Sequence, residues 1–298
     1  MPYVADHSTS DIPVRGGDLR VGTWASEDVV RGALPTRLVL AVHGVTANHT
    51  AWWPLARRLT ATSGTVLWAP DLRGRGRSNG LPGPWGMATH ADDLAAVLDR
   101  SDVERVDVVG HSMGGFVAVA FAARHPDRVA RLVLVDGGVP LPRPAGVSAQ
   151  DALTAVLGPA AARLSMTFDS AEAYRDFFRR HPAVGPLWND DVERYVDYDL
   201  AGGRSSVSYE AVAADSAELG EDGPVVAAWE RIHQNVPFLR APRGLLADPP
   251  GLYPPDVLAA FVAGHPNVEA RDVEDVDHYG ITLSDRGAEA VVSALVDA

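Results

Sequence analysis

A serine flanked by glycines two positions away on each side is the clearest chemical feature of the sequence. The segment GHSMG, residues 110–114, follows the apolar run at residues 106–109 and precedes an alanine-rich apolar stretch. Where this motif joins a strand to a helix, the serine lies on a sharp, strained turn with its hydroxyl exposed. Both flanking positions are glycine because larger side chains there would collide with the neighbouring strand and helix. The motif therefore predicts that Ser112 is a nucleophile on a nucleophile elbow.

Short apolar runs alternate with longer helical patterns on both sides of Ser112. Strands are predicted at residues 18–24, 37–42, 65–69, 106–109, 131–135, 243–247 and 268–272. Helices are predicted at residues 51–62, 90–100, 113–124, 255–263 and 285–296. Continuous apolar runs such as RLVLAV are typical of strands that are buried on both faces. The alternation predicts an α/β fold with a mostly parallel central sheet and helices on both faces.

The alternation stops between residues 137 and 241. This stretch begins with the Pro/Gly-rich segment GGVPLPRPAG and contains no convincing buried strand. Its helical patterns lie at residues 151–166, 171–180, 191–200 and 225–233. We therefore expect a core formed by residues 1–136 and 242–298, with residues 137–241 inserted as a helical cap that acts as a lid.

The composition excludes several classes of catalyst. All 26 basic residues are arginine, and the chain has no cysteine. Without lysine there can be no P-loop, no pyridoxal-phosphate Schiff base, and no kinase or Ser-x-x-Lys active site. Without cysteine there can be no disulfide, thiol nucleophile, cysteine zinc site or iron–sulfur cluster.

The net charge of −13 disfavours binding to nucleic acid, which requires a basic face. No segment approaches the ~20 apolar residues of a membrane span. The first residues lack the basic-then-apolar order of a signal peptide. We therefore expect a cytoplasmic protein that has neither a nucleic-acid partner nor a membrane span.

Three motifs together resemble those of the α/β-hydrolase fold family. Besides GHSMG, His43-Gly44 follows RLVLAV as in the family's HG turn, and DLRGRGRS at residues 71–78 looks like its D-x-R-G-x-G-x-S loop. The resemblance is good over residues 37–136 and moderate from residue 243 onward, and the insertion lies where this family carries its cap. It implies the α/β-hydrolase fold and serine chemistry that needs no metal and no organic cofactor.

The resemblance also implies a catalytic triad, in the chain order serine, acid, histidine. His278 follows the last predicted strand, where the family places its base, and a histidine pKa of ~6.5 suits a general base at neutral pH. Asp248 directly follows the predicted strand at 243–247 and is favoured as the acid, although it comes earlier in its loop than is usual in the family. Asp136 is the alternative acid, since some members carry the acid one strand earlier.

The family's oxyanion hole consists of two backbone amides, which by position are those of Val45 and Met113. Aromatic residues of the insertion provide apolar surface above the site, although ordinary packing explains most of them. They are Phe168, Phe177, Phe178, Trp188, Tyr195 and Tyr198.

These residues predict a serine esterase that cleaves an ester, lactone or thioester bond of a largely apolar small molecule through an acyl-enzyme intermediate. The same triad also suits hydrolysis of a C–C bond, perhydrolysis or acyl transfer to an acceptor other than water. The alternative from a different functional class is a non-catalytic module that has the same fold and binds a small molecule.

Overall fold

The fold is built on one eight-stranded sheet. The structure is a computed structural model that describes residues 6–101, 103–142 and 162–297. The spatial order of its strands is β1-β2-β4-β3-β5-β6-β9-β10. These strands are β1 (Asp6–Val14), β2 (Gly17–Ala25), β3 (Arg37–Val42), β4 (Thr65–Pro70), β5 (Val106–His111), β6 (Val129–Val135), β9 (Val236–Arg240) and β10 (Val268–Asp272). Strands β3 to β10 of this sheet pair in parallel, whereas β1 and β2 form an antiparallel hairpin at one edge.

Helices cover the sheet on both faces. They are α1 (Glu27–Val30), α2 (Trp53–Leu59), α3 (Met87–Leu98), α4 (Met113–Arg124), α5 (Ala171–Arg179), α6 (Asp190–Asp199), α7 (Tyr209–Ser216), α8 (Val225–Trp229), α9 (Pro255–Gly264), α10 (Gly280–Leu283) and α11 (Asp285–Asp297). In β3, Leu38, Leu40 and Val42 join a core cluster with α3, α4 and α9, while Val39 and Ala41 join another with α2 and α11. Because successive strand residues point to opposite faces, these clusters are the two layers between sheet and helices. The predicted fold class is confirmed.

The chain between Asp136 and β9 forms the inserted segment, of which residues 137–142 and 162–235 are described. It contains α5 to α8 and a small hairpin, β7 (Leu200–Ala201) with β8 (Arg204–Ser205). Aromatic and aliphatic side chains of α5 and α6 form a cluster that packs against Ala51 and Leu283 of the core. The predicted helix at 151–166 lies mostly outside the described residues.

The structure corrects the predicted end of the cap. The seventh strand of the sheet is Val236–Arg240 and not residues 243–247, so the inserted segment ends before Val236 rather than at residue 241. The segment VPFLR is short and contains Pro237, which lacks an N–H and disfavours a central strand. Only Phe238 and Leu239 of β9 are in register with β6, so Pro237 lies outside that pairing. The apolar run at 243–247 forms a turn after the strand instead.

Candidate active site

Ser112 stands on the sharp turn between β5 and α4. Its backbone has φ 53° and ψ −126°, and its N–H donates to the carbonyl of Val135 at 3.0 Å. A Cβ added to Gly110 would lie 2.3 Å from the carbonyl oxygen of Gly114, and one added to Gly114 would lie 2.1 Å from that of Val42. No side chain fits at such distances, so both glycines are required for the turn that presents the Ser112 hydroxyl.

His278 is hydrogen-bonded to a buried carboxylate that directly follows β6, the strand beside β5. Its Nδ1 lies 2.6 Å from Oδ2 of Asp136, which is fully buried directly after β6 with φ 47°. The other carboxylate oxygen accepts the N–H of Ala241 at 3.1 Å. With Nδ1 engaged by the carboxylate, Nε2 is the imidazole nitrogen left to exchange a proton, and His278 lines the same cavity as Ser112.

The structure corrects the favoured acid. Asp248 is exposed, and its carbonyl oxygen accepts the N–H of Gly244 at 2.8 Å within the turn that replaces the predicted strand. No hydrogen bond joins Asp248 to His278 in the described part of the chain. Because β9 ends at residue 240, Asp248 lies eight residues beyond the sheet rather than at its edge. The alternative, Asp136, is the carboxylate that contacts His278.

Two neighbours fix the backbone around His278. Nε2 of His111 lies 2.9 Å from the carbonyl oxygen of His278, which assigns the proton to this nitrogen. Burial holds the pKa of His111 well below its usual value, so this imidazole is neutral. Asp277 accepts the N–H groups of Tyr279 and Gly280 at 3.0 and 2.8 Å. Its carboxylate therefore caps α10.

The loop after β3 lies against the nucleophile. A Cβ added to Gly44 would be only 3.1 Å from Cβ of Ser112. His43 holds this loop, since its Nδ1 donates to the carbonyl of Gly44 at 2.8 Å and its Nε2 accepts the N–H of Leu72 at 2.9 Å. Burial is the main reason that the pKa of His43 falls to about 4. Val45 lines the cavity, and the amide of Met113 at the start of α4 has no partner within the helix.

A cavity that opens to solvent lies beside Ser112. Its aliphatic lining consists of Val45, Ala47, Ala51, Leu141, Leu219, Leu245, Leu252 and Leu283. Apart from the two histidines and Ser112, its polar side chains are those of Thr46, Tyr195, Tyr279 and Thr282. No Asp, Glu or Arg appears among the described lining residues. The cavity therefore suits an uncharged, largely apolar ligand.

The inserted segment forms part of the cavity wall through Leu141, Tyr195 and Leu219. Of the six aromatic residues proposed from the sequence to lie above the site, Tyr195 is the one that lines the described cavity. Phe168, Phe177, Phe178 and Trp188 pack within the inserted segment. The hydroxyl of Tyr198 instead donates to Asp71 of the core at 2.7 Å.

The described residues contain no group of three or more His, Asp or Glu side chains placed to hold a metal ion. In the same part of the chain, no helix has the length and apolarity needed to cross a bilayer.

A family model for the α/β hydrolase fold matches residues 37–200. The match covers more than half of the chain and includes both the loop after β3 and the nucleophile elbow. The protein belongs to the α/β hydrolase fold family, as its motifs predict.

Individual relatives match a shorter stretch. The chain is 46% identical over 103 residues to lipase LipV of Mycobacterium tuberculosis, covering 35% of this chain and 38% of that protein. It is 38% identical over 115 residues to 2-hydroxymuconate semialdehyde hydrolase of a Pseudomonas species, covering 37% and 40% of the two chains. The matched region thus spans less than half the length of these relatives.

Solved structures resemble nearly the whole chain. The structure of E-2-(acetamidomethylene)succinate hydrolase has a TM-score of 0.74 at 22% identity and covers 98% of this chain and 100% of its own. The thioesterase domain from the curacin biosynthetic pathway also has a TM-score of 0.74, at 21% identity, and covers 98% and 99% of the two chains. At these identities the likeness shows the fold alone.

Proposed function

We propose that the protein is a serine hydrolase that cleaves an ester, thioester or lactone bond of an uncharged, largely apolar small molecule. The observation that carries this proposal is the constellation at the cavity. A serine held on a strained turn and a histidine bonded to a buried aspartate open onto the same apolar space. Each group has a defined role in acyl transfer.

The reaction would proceed in two halves. Ser112 Oγ attacks the carbonyl carbon while His278 Nε2 takes the hydroxyl proton, and the same nitrogen then returns that proton to the leaving oxygen or sulfur. In the second half, His278 takes a proton from water, the hydroxide attacks the acyl-enzyme, and Ser112 leaves with its proton restored. Asp136 stabilises the imidazolium that forms in each half and holds its tautomer.

The amides of Val45 and Met113 are the proposed oxyanion hole. They belong to the two backbone segments that converge on Ser112, the loop after β3 and the first turn of α4. A donor aimed at the developing oxyanion typically contributes about 2.7–4 kcal/mol to catalysis. The close approach of Gly44 to Ser112 supports this placement of the first donor.

The inserted segment would act as a cap that selects the acyl group. Leu141, Tyr195 and Leu219 of this segment face the same space as Val45, Leu245 and Leu252 of the core, so an aliphatic or ring-containing acyl group finds apolar contacts from both sides. An acyl group with a carboxylate would be buried without a cation to pair with, which costs several kcal/mol.

A fluorophosphonate probe tests the proposal. Wild-type protein should be labelled at Ser112, and Ser112→Ala should neither be labelled nor retain more than about 10⁻⁵ of the esterase kcat. The substrate panel should include p-nitrophenyl esters of increasing chain length, aliphatic lactones, and one ester with a terminal carboxylate. Failure of the folded wild-type protein to label, or strong labelling of Ser112→Ala, would overturn the proposal and favour the non-catalytic binding module.

A further inference from the structure

A fully buried arginine lies directly beneath the two residues of the proposed oxyanion hole. Nε of Arg75 donates to the carbonyl of Val45 at 2.9 Å, and its Nη2 lies 3.6 Å from Sδ of Met113. Arg75 comes from the DLRGRGRS loop, where its motif assigns it no chemical role. It thus contacts the backbone of the loop after β3 and the side chain of Met113 at the start of α4. Arg75 is not among the residues that line the cavity.

The charge of Arg75 is balanced by a residue of the inserted segment. Asp215 of α7 accepts a hydrogen bond from Nη1 of Arg75, and both side chains are completely buried. Nε2 of His90 lies 3.0 Å from the same carboxylate oxygen, and the N–H of Gly86 donates to the other oxygen at 2.6 Å. Burial raises the pKa of Asp215, but His90 and Arg75 together outweigh burial and lower this pKa to about 2, so the pair is ionised at neutral pH.

We propose that Arg75 is a positioning residue for the oxyanion hole and that Asp215 of the inserted segment sets its orientation. A guanidinium has a fixed planar fork of donors, so the direction of one N–H fixes the others. Nη1 donates to Asp215 and to the carbonyl of Arg73, the latter at 2.9 Å, and these contacts direct Nε to the carbonyl of Val45. The inserted segment thereby influences the geometry of catalysis through a buried ion pair, in addition to forming part of the cavity wall.

This inference rests on the proposed hydrolase function, because an oxyanion hole matters only if a tetrahedral intermediate forms. It predicts a specific kinetic signature. Loss of orientation should weaken stabilisation of the transition state and leave contacts with the ground-state substrate unchanged, so kcat should fall while KM stays constant.

The chain offers a matched control in the same loop. Arg73 is also fully buried, and its Nε and Nη2 bond to Asp93 of α3 at 3.0 and 2.7 Å. Its other donors reach the carbonyls of Pro82 and Arg15, so it contacts neither Val45 nor Met113. Asp215→Asn and Asp93→Asn therefore each leave one buried arginine without its carboxylate. Only the first removes a carboxylate partner of Arg75, whose bond from Nη1 to the carbonyl of Arg73 is present in both variants.

The test compares these two variants at a temperature where both are folded. Asp215→Asn should lower kcat for a p-nitrophenyl ester about 10- to 100-fold with KM changed less than twofold, since small misplacements of catalytic groups have effects of this size. Asp93→Asn should keep kcat within about threefold. The Ki of a trifluoromethyl ketone, whose adduct with Ser112 places an oxyanion in the hole, should rise in parallel with the loss of kcat in Asp215→Asn only.

A double substitution separates positioning from folding if Asp215→Asn proves too unstable. Arg75→Met combined with Asp215→Leu replaces the buried pair by apolar side chains, a change that often preserves stability. This variant should fold, be labelled slowly by fluorophosphonate, and keep the 10- to 100-fold loss of kcat. Equal kinetics for Asp215→Asn and Asp93→Asn, or wild-type kcat in the double variant, would overturn the inference. An inactive, unlabelled wild type would instead refute the hydrolase proposal itself.

Discussion

The sheet and the inserted segment bury their interiors in different ways. In the sheet, β3 and the facing helices bury continuous aliphatic surface on both sides. In the inserted segment, Arg163 and Asp199 are each only 4% exposed and bond to each other and to Tyr174. The layers between sheet and helices therefore depend mainly on apolar burial, with the buried pair of Arg73 and Asp93 beside them. The interior of the inserted segment depends more directly on ionised groups, which are costly to leave unpaired.

A similar division between the two regions holds at the candidate site, where each region contributes different residues. Ser112, Asp136 and His278 all lie at the carboxyl edge of the parallel strands, where open α/β sheets place their ligand sites. The inserted segment contributes Leu141, Tyr195 and Leu219 to the cavity wall. If this division is correct, substitutions on the sheet side should change the rate of chemistry, and those in the inserted segment should change stability or selectivity.

The largest effect expected is on the sheet side, at the carboxylate bonded to His278. Asp136→Asn should lower kcat about 10⁴-fold, the loss that an equivalent change causes in a serine protease, because the amide favours the wrong imidazole tautomer. Asp248→Asn is the control and should keep wild-type kcat. Steady-state hydrolysis of a p-nitrophenyl ester measures both variants. A greater loss for Asp248→Asn would restore that residue as the acid.

The second effect concerns the buried pair of the inserted segment. Asp199→Asn leaves Arg163 buried without its carboxylate and should lower the free energy of unfolding by about 3–5 kcal/mol. Asp197→Asn is the matched control, because its partner Arg175 lies in a half-exposed pair worth about 0–1 kcal/mol. Urea unfolding gives both numbers. Amide exchange should increase first in α6, and simultaneous exchange in β5 would contradict separate stabilisation of the two regions.

A third effect is the response of the sheet side to mild acid. His43 has a pKa of about 4 in the folded protein against 6.5 for a free imidazole, chiefly because it is buried. Below pH 6.5 the unfolded chain therefore binds a proton that the folded chain does not. The contribution of His43 to stability should be complete above pH 6.5 and fall by about 3 kcal/mol as the pH drops to 4. Buried His111 adds a loss in the same direction.

His43→Asn tests this origin of the acid sensitivity. Asn has an acceptor for the N–H of Leu72 and does not titrate, so the variant should show a flatter unfolding free energy between pH 6.5 and 4. Equilibrium unfolding in urea at several pH values provides the comparison. An unchanged pH profile would assign the acid sensitivity to other groups.

The smallest effect expected is on selectivity, in the inserted segment. Leu219→Ala enlarges the cavity and should shift the preference in kcat/KM toward longer acyl chains by roughly tenfold, the scale of one or two methylenes. Leu258→Ala in α9 is the control, since it removes a buried leucine outside the cavity. It should lower stability without altering the order of the ester panel. The same selectivity change in both variants would mean that Leu219 does not contact the acyl group.

The sequence predicts the sheet-side geometry well where the local pattern is strong. The runs for β3 and α4 match the observed bounds, and GHSMG predicts a turn whose glycines are required by contacts below 2.5 Å. His278 was identifiable because it follows the last strand. Each of these features depends on residues close together in the chain or on a fixed topology, which a single sequence can reveal.

The choice of acid illustrates what a single sequence does not determine. RGLLA looks more like a buried strand than VPFLR, because the latter contains a proline. VPFLR is the segment that forms the strand, because it pairs with β6 and β10. That pairing is a tertiary contact. Misplacing β9 by seven residues made Asp248 look like the end of a strand. The contact between Asp136 and His278, 142 residues apart, depends on the same pairing.

The sequence pattern also does not predict the role of the buried arginine that contacts the residues of the proposed oxyanion hole. Arg75 was visible within the DLRGRGRS motif, but its partner Asp215 lies in α7, a helix that the periodicity did not predict. The alanine-rich sequence of α7 has little contrast between its faces, so no amphipathic pattern marks it. One feature of the sequence did point to this residue. Arg75 lies between two glycines of a loop that must pack beside the nucleophile.

The order of the site residues along the chain has a consequence for a protein that is divided into two polypeptides. A break between Gly202 and Gly203, in the tight turn of the β7–β8 hairpin, would leave Ser112 and Asp136 on one fragment and His278 on the other. Strands β6 and β9 would then also come from different fragments, and their pairing would be needed to bring imidazole and carboxylate together. On the proposed hydrolase function, ester turnover by two such polypeptides fused to interacting partners would report the association of those partners.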